Sequence, residues 1–273
     1  MKKRALIIGN GALYGAYSAG VTFVLCRELG PDYFDSVYAS SVGVFEGTFY
    51  VANQPDTIEK TWRNKVDGDK LFSITKPFFG KKILDLDYLI GIFQGNVSHL
   101  DLKKVFNSKV NLRYFVVEED TRKGYWKKPN KKDIFDLMQA ASAVPIVYGE
   151  HKIKNKSYSD LSFVYGMDEL IETIDLEQYD KVIIVYNHPK EKKTERFFQR
   201  LSFDIFSLIQ KKEKQRSALE KSFSKSKVKV IRPQRKVPLL FSFDTDKERI
   251  GKTIDLGIKD AKRFLEEYNK SSE

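Results

Sequence analysis

The chain contains a single cysteine, Cys26, among its 273 residues. One thiol cannot form a disulfide framework, and no cysteine spacing resembles a metal-binding motif. No apolar run approaches the roughly 20 residues that a membrane-spanning helix requires. The basic N-terminus leads into only four apolar residues before Gly9, too few for the hydrophobic region of a secretory signal. We therefore expect a cytoplasmic protein without a structural disulfide or a metal site.

Two common phosphate-binding motifs are also missing. The loop from Gly9 to Gly15 has its third glycine one residue too late for the Gly-x-Gly-x-x-Gly dinucleotide fingerprint, and the Gly-Lys-Ser/Thr of a P-loop is absent. What remains is a set of backbone N–H groups before a helix. Such groups suit a fixed anion or a developing oxyanion equally well. A nucleotide-binding α/β protein therefore stays a hypothesis that rests on this loop alone.

Acidic residues are fewer than basic ones, 37 against 48, and the net charge is +11. This excess favours an anionic partner such as a nucleic acid or an acidic membrane surface. The basic residues are scattered among acids and no nucleic-acid-binding module is recognisable, so no nucleic-acid partner is expected. A basic amphipathic helical segment near 194–221 suits either a lid or membrane-facing helix or an ordinary core-packed helix. Peripheral contact with an anionic membrane follows from the first alternative.

Short apolar runs alternate with helical patterns along the chain, which predicts the α/β class with a mainly parallel sheet. The predicted strands are 5–8, 36–40, 111–117, 181–186 and 228–231. The predicted helices include 16–29, 42–52 and 247–268, a polar loop is expected at 123–132, and an apolar segment follows at 134–141. Neither internal repeats nor a low-complexity linker interrupt the pattern. We therefore expect a single domain over residues 1–273.

Ser41 lies where a predicted strand meets a predicted helix, and its neighbours Ala39, Ser40, Val42 and Gly43 are mostly small. Small residues around a serine at a sharp strand-to-helix turn are typical of a nucleophile elbow. A serine that caps an ordinary helix gives the same short pattern. The five residues by themselves leave both interpretations open.

Asp160 is the candidate base for Ser41, because a serine hydroxyl needs a proton acceptor within hydrogen-bond reach. An aspartate between a strand and a helix is also a common turn or cap residue. The three histidines, His99, His151 and His188, lie in polar loop-like or hairpin-like contexts and are expected to be solvated. His188 alone follows the carboxyl end of a predicted strand, where ligands of open α/β sheets collect.

Several segments resemble the patatin-like phospholipases in the right order along the chain. They are Gly11 to Val21, the Ser41 elbow, Leu137 to Pro145, Tyr158-Ser159-Asp160, Ile231-Arg232-Pro233 and Gly257 to Ala261. The resemblance implies a three-layer sandwich whose mainly parallel central sheet is flanked by helices. It also implies a serine lipid acyl hydrolase of the phospholipase A or lysophospholipase type that uses no cofactor.

The resemblance assigns the site residue by residue. Ser41 corresponds to the nucleophile and Asp160 to the base of a Ser-Asp dyad without histidine. Backbone N–H groups of Gly11 and Ala12 correspond to the oxyanion hole. Asn10, Tyr14 and Val42 complete the candidate oxyanion and substrate-binding set.

Three parts of the family pattern differ in this chain: the oxyanion loop, the elbow and the residue after the aspartate. The usual three glycines of the oxyanion loop are Asn10, Gly11 and Ala12 here, and Tyr14 replaces a basic residue. Ala39 replaces the first glycine of the elbow, and Leu161 replaces the glycine after the aspartate. Loss of one oxyanion donor typically costs about 2.7–4 kcal/mol in the barrier. A catalytically impaired, lipid-binding protein on the same fold is therefore the alternative.

Overall fold

The computed structural model describes residues 3–66, 68–96, 98–160, 162–189 and 227–270. In this part of the chain a central sheet contains eight strands, five of which pair in parallel. The strands are β1 (Arg4–Ile8), β2 (Ser36–Ser40), β3 (Asn111–Glu118), β4 (Lys123–Lys127), β5 (His151–Ile153), β6 (Lys156–Ser159), β7 (Lys181–Val185) and β8 (Val228–Ile231). Hydrogen-bonded neighbours follow the order β5-β6-β3-β2-β1-β7-β8, and β4 pairs with β3.

Eight α-helices accompany the sheet in the described ranges. They are α1 (Gly15–Leu29), α2 (Gly43–Val51), α3 (Pro55–Lys65), α4 (Leu86–Gln94), α5 (Leu102–Asn107), α6 (Ile134–Ser142), α7 (Ser162–Glu172) and α8 (Lys247–Lys270). Short 3-10 turns occur at Ala12–Tyr14, Lys76–Phe79 and Leu176–Gln178. The predicted α/β class, with a mostly parallel sheet flanked by helices, is confirmed.

The central strands are buried on both faces, because successive side chains of a strand point to opposite sides. On β1, Leu6 and Ile8 belong to the larger apolar core with α1 and α2, whereas Ala5 and Ile7 belong to a second core. Helix α7 contributes Leu170 and Ile171 to that second core. The sheet is therefore the middle of three layers, and its strand ends are fixed between two cores.

Helices α1 and α8 pack closely, and glycine permits the contact at two points. A Cβ atom at Gly20 would lie 2.2 Å from the carbonyl oxygen of Ile254, and one at Gly257 would lie 2.1 Å from that of Tyr17. Nearby, the Tyr17 hydroxyl donates a hydrogen bond to Asp260 at 3.2 Å. This contact anchors the C-terminal helix on the helix that follows the glycine loop.

The structure differs from the sequence prediction between residues 123 and 132. The expected polar loop begins instead as β4, which pairs antiparallel with β3. The side chain of Trp126 accounts for this, because it packs edge-on against Phe115 of β3 and Tyr38 of β2. A lysine-rich sequence thus forms an edge strand through the few aromatic residues within it.

Two sequence features lie outside the described residues: the basic segment at 194–221, and Leu161. Among the helices that are described, none has both the length and the apolar character needed to cross a membrane.

Candidate active site

Ser41 occupies a sharp turn between β2 and α2. Its backbone φ is +52°, in the left-handed region that non-glycine residues rarely adopt. Strain of this kind, typically about 1–3 kcal/mol, concentrates at functional sites. Gly43 allows the turn, because a Cβ atom there would lie 2.8 Å from the carbonyl oxygen of Ile8 on the neighbouring strand. Ser41 therefore has the backbone geometry of a nucleophile elbow, although the residue itself is largely buried.

The pairing of β3 brings Asp160 toward Ser41. Strand β4 occupies one edge of β3 from Tyr114 to Glu118, so β2 and β6 share the opposite edge. Along that edge Ser40 pairs with Phe115, and Ser159 pairs with Val117. The two strands run toward each other, and roughly 6.6 Å of strand separates their last paired residues. Ser41 and Asp160 follow directly, and both leave the sheet at the level of Val116.

The end of α6 connects the two candidate residues. The Ser142 hydroxyl donates a hydrogen bond to the carbonyl oxygen of Ser41 at 3.3 Å. The next residue, Ala143, accepts a hydrogen bond from the backbone N–H of Asp160 at 2.9 Å. Ser41 and Asp160 are thus each held by one of two consecutive residues, and both are at most 6% exposed.

The glycine loop lies beside the elbow, and Ala12 and Leu13 line the same cleft as Ser41. Ala12 has a φ of +47°, so an alanine occupies a left-handed conformation that a glycine would adopt without strain. The Leu13 N–H donates to the carbonyl oxygen of Ser242 at 2.8 Å, which fixes the far end of the loop. Within the described chain, neither the N–H of Gly11 nor that of Ala12 donates a hydrogen bond.

Asn187 holds this loop in place, and it was not among the predicted site residues. Its Nδ2 donates to the carbonyl oxygens of Gly9 and Asn10, both at 3.1 Å. Its Oδ1 accepts a hydrogen bond from the backbone N–H of Ser18 at 3.1 Å. The side chain is 1% exposed. Because Asn187 binds the carbonyl groups, it orients the peptide units of the loop. Its position two residues after the end of β7 was the only signal of this role in the sequence.

Tyr14 and His188 form a pair at the outer side of the loop. Their rings meet edge to face with centroids 4.7 Å apart. Burial, with a smaller contribution from the charge of Asp244, raises the pKa of Tyr14 above its ordinary value. Neither residue lines the cleft that contains Ser41. The structure therefore places Tyr14 in a packing position, and His188 beside the loop.

The other two histidines lie away from Ser41. The backbone carbonyl of His99 accepts a hydrogen bond from Gln54. His151 lies on β5, where its Nε2 is 3.4 Å from Asp136 and its Nδ1 is 3.5 Å from the Tyr148 hydroxyl. The described residues contain no cluster of histidine, cysteine, aspartate or glutamate suited to a metal ion.

An apolar cleft of about 50 Å³ extends from Ser41. Its walls come from the elbow, the glycine loop, helices α2, α3, α4 and α6, and the segments around Leu71, Leu84 and Phe243. The lining residues are Ala12, Leu13, Ser41, Val42, Phe45, Ile58, Thr61, Trp62, Val66, Leu71, Leu84, Leu86, Leu89, Phe93, Ser142, Val144 and Phe243. Val42, a predicted substrate-binding residue, is among them. The walls suit a hydrocarbon chain, and they must separate further to admit a long one.

A buried carboxyl group lies behind this cleft. The Nε1 of Trp62, a cleft residue, donates a hydrogen bond to Oε1 of Glu46 at 2.8 Å. Glu46 is fully buried, and its Oε2 has no hydrogen-bond partner among the described residues. Burial raises the pKa of Glu46 to about 8, although the Trp62 hydrogen bond partly opposes this rise. Glu46 is therefore largely protonated at neutral pH, and it fixes the orientation of one wall.

Comparisons with known proteins agree with this architecture. The sequence model of the family described as patatin-like phospholipase matches residues 6–168. That span includes the glycine loop, the elbow and Asp160. Among solved structures, the chain is similar to VipD from Legionella pneumophila, with a TM-score of 0.55 and 12% sequence identity. The similarity covers 98% of this chain and 67% of VipD, and at this identity it supports the fold alone. No curated protein sequence matches the chain significantly.

Proposed function

The chain belongs to the patatin-like phospholipase family, a family of lipid acyl hydrolases, and we propose that it hydrolyses lipid esters with a Ser41-Asp160 dyad. The observation that carries the proposal is the meeting of β2 and β6 on one edge of β3. This register leaves a strained serine and a buried aspartate at the same level of the sheet, and the serine lines an apolar cleft.

The reaction follows from the roles of these groups. Asp160 accepts the proton of the Ser41 hydroxyl as the serine oxygen attacks the ester carbonyl. The N–H groups of Gly11 and Ala12 stabilise the oxyanion, and the alcohol leaves with the proton from Asp160. Water then attacks the acyl-serine ester while Asp160 again accepts a proton. The acid is released and Ser41 regains its hydroxyl hydrogen.

The substrate class follows from the cleft. Its lining is almost entirely apolar, so an acyl chain gains free energy on leaving water, at roughly 0.8 kcal/mol per buried CH₂ group. We infer a phospholipase A or lysophospholipase activity, in which the acyl chain enters the cleft and the polar part of the lipid stays outside. The chemistry requires no cofactor.

The direct test compares Ser41→Ala with its neighbour Ser40→Ala. Ser41→Ala is expected to lower ester hydrolysis at least roughly 10³-fold and to abolish labelling by a fluorophosphonate probe. Asp160→Asn is expected to lower both ester hydrolysis and probe labelling strongly, because an amide cannot accept the proton. Ser40 has a buried hydroxyl without a hydrogen-bond partner, so Ser40→Ala is the matched control and should retain activity. Hydrolysis by Ser41→Ala at the wild-type rate would refute the proposal.

A lipid-binding protein without turnover is the second candidate. Ala12 supports it, because its left-handed backbone makes the oxyanion loop more strained than the usual glycine would be. The probe separates the two functions. Covalent labelling of Ser41 requires an activated serine, whereas a binding protein retains fatty acid or phospholipid but does not react with the probe.

A further inference from the structure

Three segments around the cleft expose large apolar side chains. The first carries Ile74, Phe78 and Phe79, which are 72%, 87% and 77% exposed. The second carries Ile146 at 57%, and the third carries Leu240 and Phe241 at 66% and 52%. Scattered surface leucines are ordinary, but several large apolar groups close together mark a binding surface.

The segments are joined to one another. The Leu84 N–H donates to the carbonyl oxygen of Val147 at 2.9 Å, which links the first segment to the second. Phe72 forms an isolated bridge with Leu84, and its ring stacks on that of Phe243 with centroids 4.6 Å apart. The first segment is thereby linked to the third as well. The exposed side chains thus belong to one continuous region, which we call the apolar rim (Ile74, Phe78, Phe79, Ile146, Leu240 and Phe241).

The apolar rim lies on segments that also form walls of the cleft that contains Ser41. Each of its three segments also supplies cleft walls: Leu71 and Leu84 from the first, Val144 next to the second, and Phe243 from the third. A lipid that leaves a bilayer at the rim therefore passes directly from one apolar surface to another.

Positive charge accompanies the rim. Residues 70–84 include four lysines and no acidic residue, and residues 234–243 include Arg235 and Lys236 and no acidic residue. Lys70, Lys81 and Lys82 are exposed, and Lys82 lies over the ring of Tyr148, 3.4 Å from its centroid. Exposed aromatic groups flanked by lysines combine apolar insertion with attraction to anionic head groups.

We propose that the apolar rim and its lysines form a docking surface for an anionic lipid bilayer. The inference rests on the proposed function, because the segments of this surface also form walls of the proposed lipid site. Phe78 and Phe79 enter the head-group boundary, and the lysines bind lipid phosphates and carboxylates. Docking presses the open side of the cleft against the membrane and supplies substrate without transfer through water.

The test is co-sedimentation of the full-length protein with vesicles. Neutral vesicles contain phosphatidylcholine, and anionic vesicles contain phosphatidylcholine and phosphatidylserine. The wild type is expected to bind the anionic vesicles, and more weakly at high salt. Phe78→Ser/Phe79→Ser and Lys70→Glu/Lys81→Glu are each expected to weaken this binding about tenfold or more. Thermal unfolding midpoints check that the variants are folded.

Two variants serve as matched controls. Lys103→Glu/Lys109→Glu makes the same change of charge near the amino end of β3. Ser41 lies at the other end of the sheet, after the carboxyl end of β2. Val230→Ser removes an exposed apolar side chain from β8. Both are expected to bind anionic vesicles like the wild type. If the controls lose as much binding as the rim variants, the effect is one of net charge or general hydrophobicity, and the proposal is overturned.

The same experiment separates docking from catalysis. Ser41→Ala is expected to bind vesicles like the wild type although it does not hydrolyse esters, so failure of the hydrolase proposal leaves binding intact. Absence of wild-type binding to anionic vesicles overturns the docking surface. It is equally overturned if the rim covers a second copy of the chain, which size-exclusion chromatography would reveal as a dimer that Phe78→Ser/Phe79→Ser dissociates.

Discussion

Ser142 donates a hydrogen bond from its hydroxyl to the carbonyl oxygen of Ser41 at 3.3 Å. The bond joins the end of α6 to the strained turn of the elbow, and Ala143, the residue that follows α6, holds Asp160. The relative positions of Ser41 and Asp160, the proposed nucleophile and base, therefore depend on a helix that supplies neither of them. Ser142 therefore positions Ser41 through its backbone and also lines the cleft.

Ser142→Ala is expected to slow fluorophosphonate labelling of Ser41 several-fold and to lower the free energy of unfolding by about 1 kcal/mol. Loss of the hydrogen bond frees the Ser41 carbonyl, so the turn samples more conformations. Ser159→Ala is the matched control, because Ser159 has a buried hydroxyl without a partner. Equal labelling rates in Ser142→Ala and the wild type would show that the bond does not position the nucleophile.

Asn187→Asp is expected to lower kcat for ester hydrolysis at least tenfold with little change in KM. The carboxylate still accepts a hydrogen bond from the Ser18 N–H but no longer donates to the carbonyls of Gly9 and Asn10. Oxyanion donors act chiefly in the transition state, so disorder in their loop affects kcat more than KM. Asn64→Ala removes an exposed asparagine hydrogen bond on α3 and should leave both constants unchanged. A rise in KM at constant kcat would contradict a role in the oxyanion loop.

The buried carboxyl of Glu46 is expected to make the free energy of unfolding depend on pH. Its carboxyl has an ordinary pKa near 4.5 when unfolded and a pKa of about 8 when buried, so the folded state binds more protons between these values. The contribution of Glu46 to stability is complete below pH 4.5 and is lost as pH rises to about 8. The slope is at most about 1.4 kcal/mol per pH unit.

Urea unfolding across this range tests the linkage. The wild type is expected to lose stability relative to Glu46→Gln as pH rises, because the amide does not titrate. Glu266→Gln, an exposed substitution on α8, should show no such trend. A constant difference between the wild type and Glu46→Gln at all pH values would mean that the carboxyl titrates normally.

Gly257→Ala is expected to destabilise the protein by about 1–3 kcal/mol or more, because the added methyl group would lie 2.1 Å from the carbonyl oxygen of Tyr17. Gly251→Ala on the same helix is the matched control. Its methyl group meets only the end of Arg63, at 3.5 Å, so the substitution should stabilise the helix by about 0.5–1 kcal/mol. Equal unfolding free energies for the two variants would exclude close packing of α1 against α8.

Much of the fold could be predicted because it is encoded locally. The apolar runs at β1, β2 and β8 and the helix stop at Gly30-Pro31 identify elements by periodicity and backbone chemistry alone. Strand β4 was missed because its sequence is polar and only its cross-strand partners make it a strand. Its effect extends to the site, since β4 on one edge of β3 leaves the other edge to both β2 and β6.

The sequence by itself determined the α/β class, the family, and the residue types at the elbow and after β6. The tertiary structure decided what surrounds them. It places Ser41 and Asp160 at the level of Val116, supports the glycine loop through Asn187, and brings the segments of the apolar rim together. Contacts between segments distant in the chain depend on which strand edges are already occupied and on how closely helices can approach. No local pattern of residues carries that information.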